Sequence, residues 1–133
     1  MRKVVMLLFV VLILSGCSKD AGVKQTIEES FNALKSENVD KYLSTIDEDS
    51  PMYKTNKQIA PFIFSAYDLD YKVENIKIIS NENDKAVVEV TVTVKKIKGP
   101  RFDDTRSISS NTLVKRQGKW KIQSTSTIKT ERI

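Results

Sequence analysis

The chain has 133 residues, of which 40% are hydrophobic, and a formal net charge of +5. This length predicts a single domain. One cysteine and no histidine are present, which excludes an intramolecular disulfide, a histidine-ligated metal site, and catalysis by a Ser-His-Asp or Cys-His set.

The first sixteen residues have the pattern of a secretory signal peptide. A positively charged start, Met1-Arg2-Lys3, precedes an unbroken apolar run over residues 4–14. A membrane-spanning helix needs about 20 apolar residues, so this run is too short to be one. The run ends in Leu14-Ser15-Gly16-Cys17, which resembles the lipobox of bacterial lipoproteins. That resemblance implies that residues 1–16 are removed and that the Cys17 thiol carries a diacylglyceryl group.

A lipid on Cys17 would hold the mature protein at the outer face of the cytoplasmic membrane, because two long acyl chains give stable anchoring. Residues 17–20 are then the lipidated cysteine and a short tether, and residues 21–133 are the folded domain. Nucleic acid is excluded as a partner outside the membrane, and no aromatic side chains are interleaved with the basic residues to support it.

Three helices are predicted after the tether. The first has apolar residues at intervals of four, four and three: Val23, Ile27, Phe31 and Leu34. A second helix begins after Asn38, a suitable N-cap, and has apolar positions as far as Ile46. A third extends from Thr55 to about Tyr67, with apolar residues again at helical spacing.

The period of the apolar pattern then changes to two, which predicts four strands. The clearest strand alternates Val88, Val90, Val92 and Val94 with polar residues. The others cover residues 71–79, 105–116 and 119–130, with a bulge expected at Leu113-Val114 and a tight turn at Gln117-Gly118. Helices followed by strands predict an α+β fold, with the N-terminal helices packed on one face of an antiparallel sheet.

This order, with its final Gly-turn-Trp hairpin, resembles the nuclear transport factor 2-like (cystatin-like cone) superfamily. The resemblance rests on residues 31–34 (FNAL), 39–43 (VDKYL) and 113–122 (LVKRQGKWKI). It covers residues 21–130 and implies N-terminal helices packed on a curved antiparallel sheet. From Tyr67 to Ile122 the chain also resembles the N-terminal domain of certain penicillin-binding proteins. Small envelope lipoproteins with such a domain are common in low-GC Gram-positive bacteria, so we expect a Gram-positive source.

Four residues at the predicted junction between helices and sheet are pocket candidates: Tyr67, Asp68, Asp70 and Tyr71. Enzymes of the superfamily use a pocket carboxylate as a general base, with a tyrosine to polarise a carbonyl. A lyase- or isomerase-like activity is therefore an alternative function. The Asp-Leu-Asp spacing is equally typical of a solvated turn.

The last two strands supply five further pocket candidates. Trp120 shares a face with Ile122, so we interpret it as a core residue, with ligand stacking as the alternative. Four hydroxyl residues have the parity of apolar neighbours in these strands: Ser110, Thr112, Ser124 and Ser126. If that face is turned to the helices, the hydroxyls line a pocket, or the strands project beyond the helices into solvent.

Charge is unevenly distributed along the chain. Residues 17–94 contain 9 Lys or Arg against 14 Asp or Glu, whereas residues 95–133 contain 11 against 3. The basic set includes a group around the last turn that we take as candidates for binding an anionic surface: Lys115, Arg116, Lys119 and Lys121. An anionic lipid or a wall polymer would be the ligand. A solvated sheet face with lysines that guard strand edges is the alternative.

The sequence thus predicts a non-enzymatic envelope lipoprotein without a cofactor. Its domain would bind an envelope protein, a small apolar molecule or an anionic surface. The alternatives are the His-free lyase or isomerase and an accessory domain in cell-wall synthesis, the latter suggested by the resemblance to penicillin-binding proteins.

Overall fold

The computed structural model describes residues 18–133, so the predicted signal peptide and Cys17 lie outside the described part. Three helices come first, α1 (Ser18–Lys35), α2 (Val39–Ser44) and α3 (Pro51–Ala66). Four strands follow, β1 (Asp68–Glu82), β2 (Lys85–Lys98), β3 (Thr105–Arg116) and β4 (Lys119–Arg132). The predicted α+β class is confirmed. Within residues 18–133 no helix combines the length and the apolar character needed to cross a membrane.

The strands form one antiparallel sheet in the order β1-β2-β3-β4. Tight turns join β1 to β2 and β3 to β4, and their residues have positive φ: Asn83 and Asp84, then Gln117 and Gly118. Positive φ at both central residues is typical of the hairpin turn whose twist matches that of the strands. Both turns lie at the same end of the sheet, which we call the turn end. The β2–β3 loop lies at the opposite, distal end.

Helix α1 begins at the turn end. The Asn81 side chain donates a hydrogen bond to the Lys19 carbonyl at 2.9 Å, and the ammonium of Lys35, the last residue of α1, is 3.5 Å from the Asp70 carboxylate. The helix therefore runs along β1 towards the distal end. Residues 18–20, expected as part of a tether, instead form the first turn of α1.

The caps explain where the other two helices begin. Asn38 caps α2 as predicted, since its side chain accepts a hydrogen bond from the Lys41 N–H at 3.1 Å. Helix α3 starts at Pro51, four residues before the predicted start. Ser50 accepts from the Met52 N–H, and a proline is favoured directly after such a cap. Residues 51–54, which were predicted to lie between the second and third helices, therefore form the first turn of α3.

The main core lies between α1 and one face of the sheet. Its buried residues are Val23 and Ile27 of α1, Ala86, Val88 and Val90 of β2, Leu113 of β3 and Ile122 of β4. A second cluster joins α1, α2 and α3 around Ala33, Leu43 and Ala60. Burial at every second residue of β2 confirms the predicted inward-facing positions.

Trp120 packs partly buried against the main core, as the interpretation from its parity suggested. A Cβ at position 22 would lie 2.8 Å from Cδ1 of the indole, so the close approach of α1 requires a glycine there. The Thr26 hydroxyl also donates to the Trp120 carbonyl at 3.1 Å. The start of β4 is thereby fixed to the N-terminal half of α1.

Bulges change the phase of the last two strands. Leu113 pairs with Ile122, but Thr112 pairs with Ser124, which leaves Gln123 as an extra residue in β4. A second irregularity places Ile128 outside the register. The bulge predicted at Leu113-Val114 thus occurs at that level of the sheet, but the additional residue belongs to the opposing strand.

Candidate functional site

The four pocket candidates at the helix–sheet junction do not form a buried acid site. Tyr67 packs edge-on against Phe102, with ring centroids 5.9 Å apart, and Asp68 is exposed. The Asp70 carboxylate is 44% exposed and pairs with Lys35. Both carboxylates are therefore solvated, but Asp68 and Asp70 belong to β1 rather than to the turn that their spacing suggested.

Two tyrosines between the helices and the sheet, Tyr42 of α2 and Tyr71 of β1, have a raised pKa and are neutral. Burial raises the pKa of Tyr42 to about 12, and its hydroxyl donates to the Asn56 side chain at 3.1 Å. Burial, followed by the charge of Glu37, also raises the pKa of Tyr71, whose ring lies 6.1 Å from that of Phe31. Neither hydroxyl is tuned to lose a proton near neutral pH.

The hydroxyl candidates lie on the face of the sheet away from the helices, so the phase assigned from sequence is wrong. Leu113 and Ile122 are buried against α1, and alternation turns their paired neighbours outward: Thr112 with Ser124, and Ser110 with Ser126. In a regular strand, Ile122 and Ser124 would share a face. The bulge at Gln123 separates them.

A different polar set lies on the helix side of the sheet. Its members point to the same face of β3 and β4 as the buried Leu113 and follow it towards the distal end. They are Ser107, Ser109, Asn111, Thr125, Thr127 and Thr130. Its members bond to one another: the Thr125 hydroxyl donates to Asn111 at 2.8 Å, and the hydroxyls of Ser107 and Thr130 are 3.1 Å apart. Polar residues thus replace the apolar core towards the distal end of β3 and β4.

An open cleft of about 840 Å³ lies at the turn end. One wall is the segment from α2 to the first turns of α3, and the other is the β3–β4 turn. We call it the turn cleft, and its lining includes Leu43, Ile46, Asp47, Tyr53, Lys57, Lys115, Arg116, Lys119 and Lys121.

Backbone bonds between the two walls fix the turn cleft. Ile46 forms a parallel bridge with Ile122; the Asp47 N–H donates to the Ile122 carbonyl, and the Ile122 N–H donates to Thr45, both at 2.8 Å. The Ser50 hydroxyl donates to the Gln123 carbonyl one step further along β4. The exposed edge of β4 is therefore covered where the cleft begins.

A buried carboxylate lies at the base of this cleft. The Asp47 residue is 4% exposed, and Oδ2 accepts a hydrogen bond from the Arg116 guanidinium at 3.1 Å. Hydrogen bonding to Asp47 raises the pKa of Arg116 above its usual value. The carboxylate charge is thus compensated inside the cleft, as a buried acid requires.

The candidates for anionic binding are largely engaged within the protein. Arg116 pairs with Asp47, the Lys121 ammonium donates to the Ser44 carbonyl, and the Lys115 ammonium lies 5.8 Å above the Trp120 ring. Four acids also line the cleft: Asp40, Asp47, Glu48 and Asp49. The turn cleft therefore carries both signs of charge, and the hairpin is not the free basic patch expected from the sequence.

Sequence reasoning missed Asp47, Tyr53 and Lys57 as members of a candidate site. The predicted helices leave Asp47 and Tyr53 in the connection between them and Lys57 in the third helix. The parallel bridge that brings this segment to β4 has no local sequence signal. The available signal was the Ser50-Pro51 pair, which places a helix start directly after the acidic run.

Comparison with known proteins identifies relatives of this domain. The family described as the C-terminal domain of anti-sigma-I factor RsgI9 matches residues 25–133. Anti-sigma-I factor RsgI9 of Acetivibrio thermocellus is 32% identical over 92 residues, which are 69% of this chain and 13% of that protein. The chain therefore corresponds to a small part of its curated relative.

Solved structures with this fold come from several bacteria. A putative scytalone dehydratase from Novosphingobium aromaticivorans has a TM-score of 0.74 at 15% identity, over 91% of both chains. A protein of unknown function with a cystatin-like fold from Nostoc punctiforme has a TM-score of 0.65 at 18% identity, over 80% of this chain and 86% of its own. A putative dehydratase of the NTF2-like family from Streptomyces avermitilis reaches 0.63 at 12%, over 84% and 94%. The nuclear transport factor 2-like fold is confirmed.

Proposed function

The chain belongs to the family of the C-terminal domain of anti-sigma-I factor RsgI9, and from this we propose that it is a non-enzymatic module that binds a protein partner. We propose further that a lipid on Cys17 holds it at the outer face of the cytoplasmic membrane. The observation that carries the binding role is the turn cleft, which has fixed walls and charges of both signs.

The absence of catalysis is supported by the state of the acid–base groups. The junction carboxylates of Asp68 and Asp70 are solvated, and the buried Asp47 is compensated by Arg116. The two tyrosines with raised pKa, Tyr42 and Tyr71, stay protonated at neutral pH. A general base needs a pKa near the working pH and a free position beside the substrate, and none of these groups combines the two.

The chemistry of the turn cleft favours a polypeptide as ligand. An apolar molecule would leave the rim charges of Glu48, Asp49, Lys57 and Lys119 without partners, and a polyanion would meet the acids as well as the cations. A peptide segment with both signs of charge can pair with each rim and place an apolar side chain against Leu43 and Tyr53.

The position of the cleft relative to the proposed anchor restricts the partner. Helix α1 starts at Ser18, directly after Cys17, and its first turn is bonded to Asn81 at the turn end. A lipid on Cys17 would therefore hold the turn end, with its cleft, near the membrane surface. The partner is expected to present its charged segment close to that surface, as another envelope protein would.

The anchor is tested by Cys17→Ala. Lipidation needs the thiol as nucleophile, so we expect the variant to remain as the unprocessed precursor and to incorporate no labelled palmitate, whereas the unaltered chain incorporates it. Equal labelling of the two proteins would refute the anchor without bearing on the cleft.

The binding role is tested by a photo-crosslinking phenylalanine analogue placed at two aromatic positions of α3. Tyr53 lines the turn cleft, whereas Phe62 is 69% exposed outside it. We expect a discrete protein adduct from position 53 in intact cells and not from position 62, identified by mass spectrometry as a membrane or secreted protein. Equal adducts at both positions, or none at position 53, would refute the cleft as the binding site. An adduct with a sigma factor would refute the outer-face location.

A further inference from the structure

A second charged surface lies at the distal end of the sheet. Four cations occur within seven residues at the end of β2 and in the β2–β3 loop, and we call them the distal cluster: Lys95, Lys96, Lys98 and Arg101. All except Lys96, which is half-buried, are exposed. They belong to the basic set of residues 95–133 but lie outside the four candidates around the last turn.

The backbone that carries the distal cluster is held in place. A Cβ at Gly99, whose φ is 124°, would lie 2.6 Å from the carbonyl oxygen of Ala66 at the end of α3. The Phe102 ring packs on Tyr67, and the Lys96 N–H donates to the Asp104 carboxylate at 3.0 Å. The loop therefore presents its cations from a defined position rather than from a free chain.

The acids near the distal cluster are mostly engaged elsewhere. Asp70 pairs with Lys35 at 3.5 Å, Asp103 pairs with Arg132 at 3.4 Å, and Asp104 accepts the Lys96 backbone N–H. Asp68, which lies opposite Lys98 in the register, is exposed. Within residues 18–133 none of the four cations forms an ion pair. Lys35 and Arg132 balance Asp70 and Asp103, which leaves Asp68 and Asp104 against the four cations, so the cluster keeps a net charge of +2.

We propose that the distal cluster binds an extended phosphate-bearing polymer outside the membrane. Three lysines provide point charges, and Arg101 provides the planar fork that matches phosphate oxygens. The cations are spread along a strand end and a loop instead of converging on a pocket, which suits several phosphates of one chain better than a single small ion. Attraction of this kind weakens as salt screens the charges.

The choice of a polymer over the membrane rests on the lipid anchor proposed above. The anchor holds the turn end, and Lys95 and Lys98 lie ten and 13 residues along β2 from its first residue, Lys85, which is roughly 33–43 Å at about 3.3 Å per residue. The Debye length is about 8 Å in physiological salt. A cluster so far from the anchored end is directed to ligands beyond the headgroups.

The test uses the full chain in a non-ionic detergent with long-chain inorganic polyphosphate as probe. The distal variant K95E/K98E/R101E is compared with K24E/K54E/K77E, which reverses three exposed lysines outside both the distal end and the turn cleft and changes the net charge equally. We expect salt-sensitive binding that falls at least tenfold in the distal variant and less than threefold in the matched control. Far-UV circular dichroism confirms that both variants are folded.

Three results would overturn the proposal. One is the absence of polyphosphate binding at low salt, and another is an equal loss in both variants, which would indicate net charge alone. The third is tighter, cluster-dependent binding of phosphatidylglycerol presented in mixed detergent micelles, or of poly-glutamate, which would make a membrane or an acidic polypeptide the ligand. Because the measurement is made in detergent, failure of the Cys17 anchor would leave its result readable.

Discussion

The phase of β2 decides which face of the sheet packs on α1, and two adjacent valines test it with the same chemical change. Val88 is fully buried in the main core, whereas Val87 is half-buried on the outer face, between Ser80 and Thr112. Replacement of either by alanine removes the same two carbon atoms at adjacent positions of an inner strand. The difference between the two variants therefore reports how closely each face of the sheet is packed.

For Val88→Ala, the loss of transfer free energy is about 1.6 kcal/mol at about 0.8 kcal/mol per buried carbon. A cavity that closes incompletely raises this to about 2–3 kcal/mol. Val87→Ala should cost less than about 1 kcal/mol, because its side chain is partly in water already. Urea unfolding followed by circular dichroism measures both values. A loss in Val87→Ala equal to or larger than that in Val88→Ala would show that the faces of the sheet are reversed.

Three further outcomes are expected. Arg116→Gln should lower the urea midpoint of unfolding more than Arg106→Gln. The ion pairs with Asp47 and Glu74 are similar in length, 3.1 and 3.0 Å, but only the loss of Arg116 leaves a buried carboxylate without its partner. Equal shifts of the midpoint would contradict this. The free energy of unfolding should fall as the pH rises from about 10 to 12. In this range Tyr42 stays neutral in the native state, because its pKa is raised, but ionises in the unfolded state. Tyr42→Phe should reduce that fall. Gly22→Ala should destabilise the chain, despite a gain of about 1 kcal/mol in helix propensity, and shift the fluorescence of Trp120; an unchanged spectrum would contradict the close packing.

The fold class was predictable because local patterns carried it. The alternating valines of β2, the Asn38 cap and the Gln117-Gly118 turn each specify a conformation within a few residues. The pocket hydroxyls were misplaced because a parity argument assumes a regular strand. One additional residue, Gln123, reverses the faces beyond it, and no local pattern distinguished it from a regular strand position.

The candidate site was less predictable, because its walls come from distant parts of the chain. Asp47 reaches β4 through a parallel bridge between Ile46 and Ile122. Along the sequence, the acidic run at residues 47–49 lies far from the basic hairpin at residues 115–121. Its ion pair with Arg116 joins residues 69 positions apart, and such a contact has no counterpart in spacing or composition.

The sheet topology also explains why the charge count along the sequence did not reveal two separate surfaces. In an antiparallel meander, a loop and the next turn along the chain lie at opposite ends of the sheet. The cations of residues 95–101 and those of residues 115–121 are close in sequence, but β3 separates them. One group meets the acids of the α2–α3 segment in the turn cleft, whereas the other remains in excess at the distal end. A basic C-terminal third thus becomes two surfaces with different chemistry, one suited to a polypeptide of mixed charge and one to a polyanion.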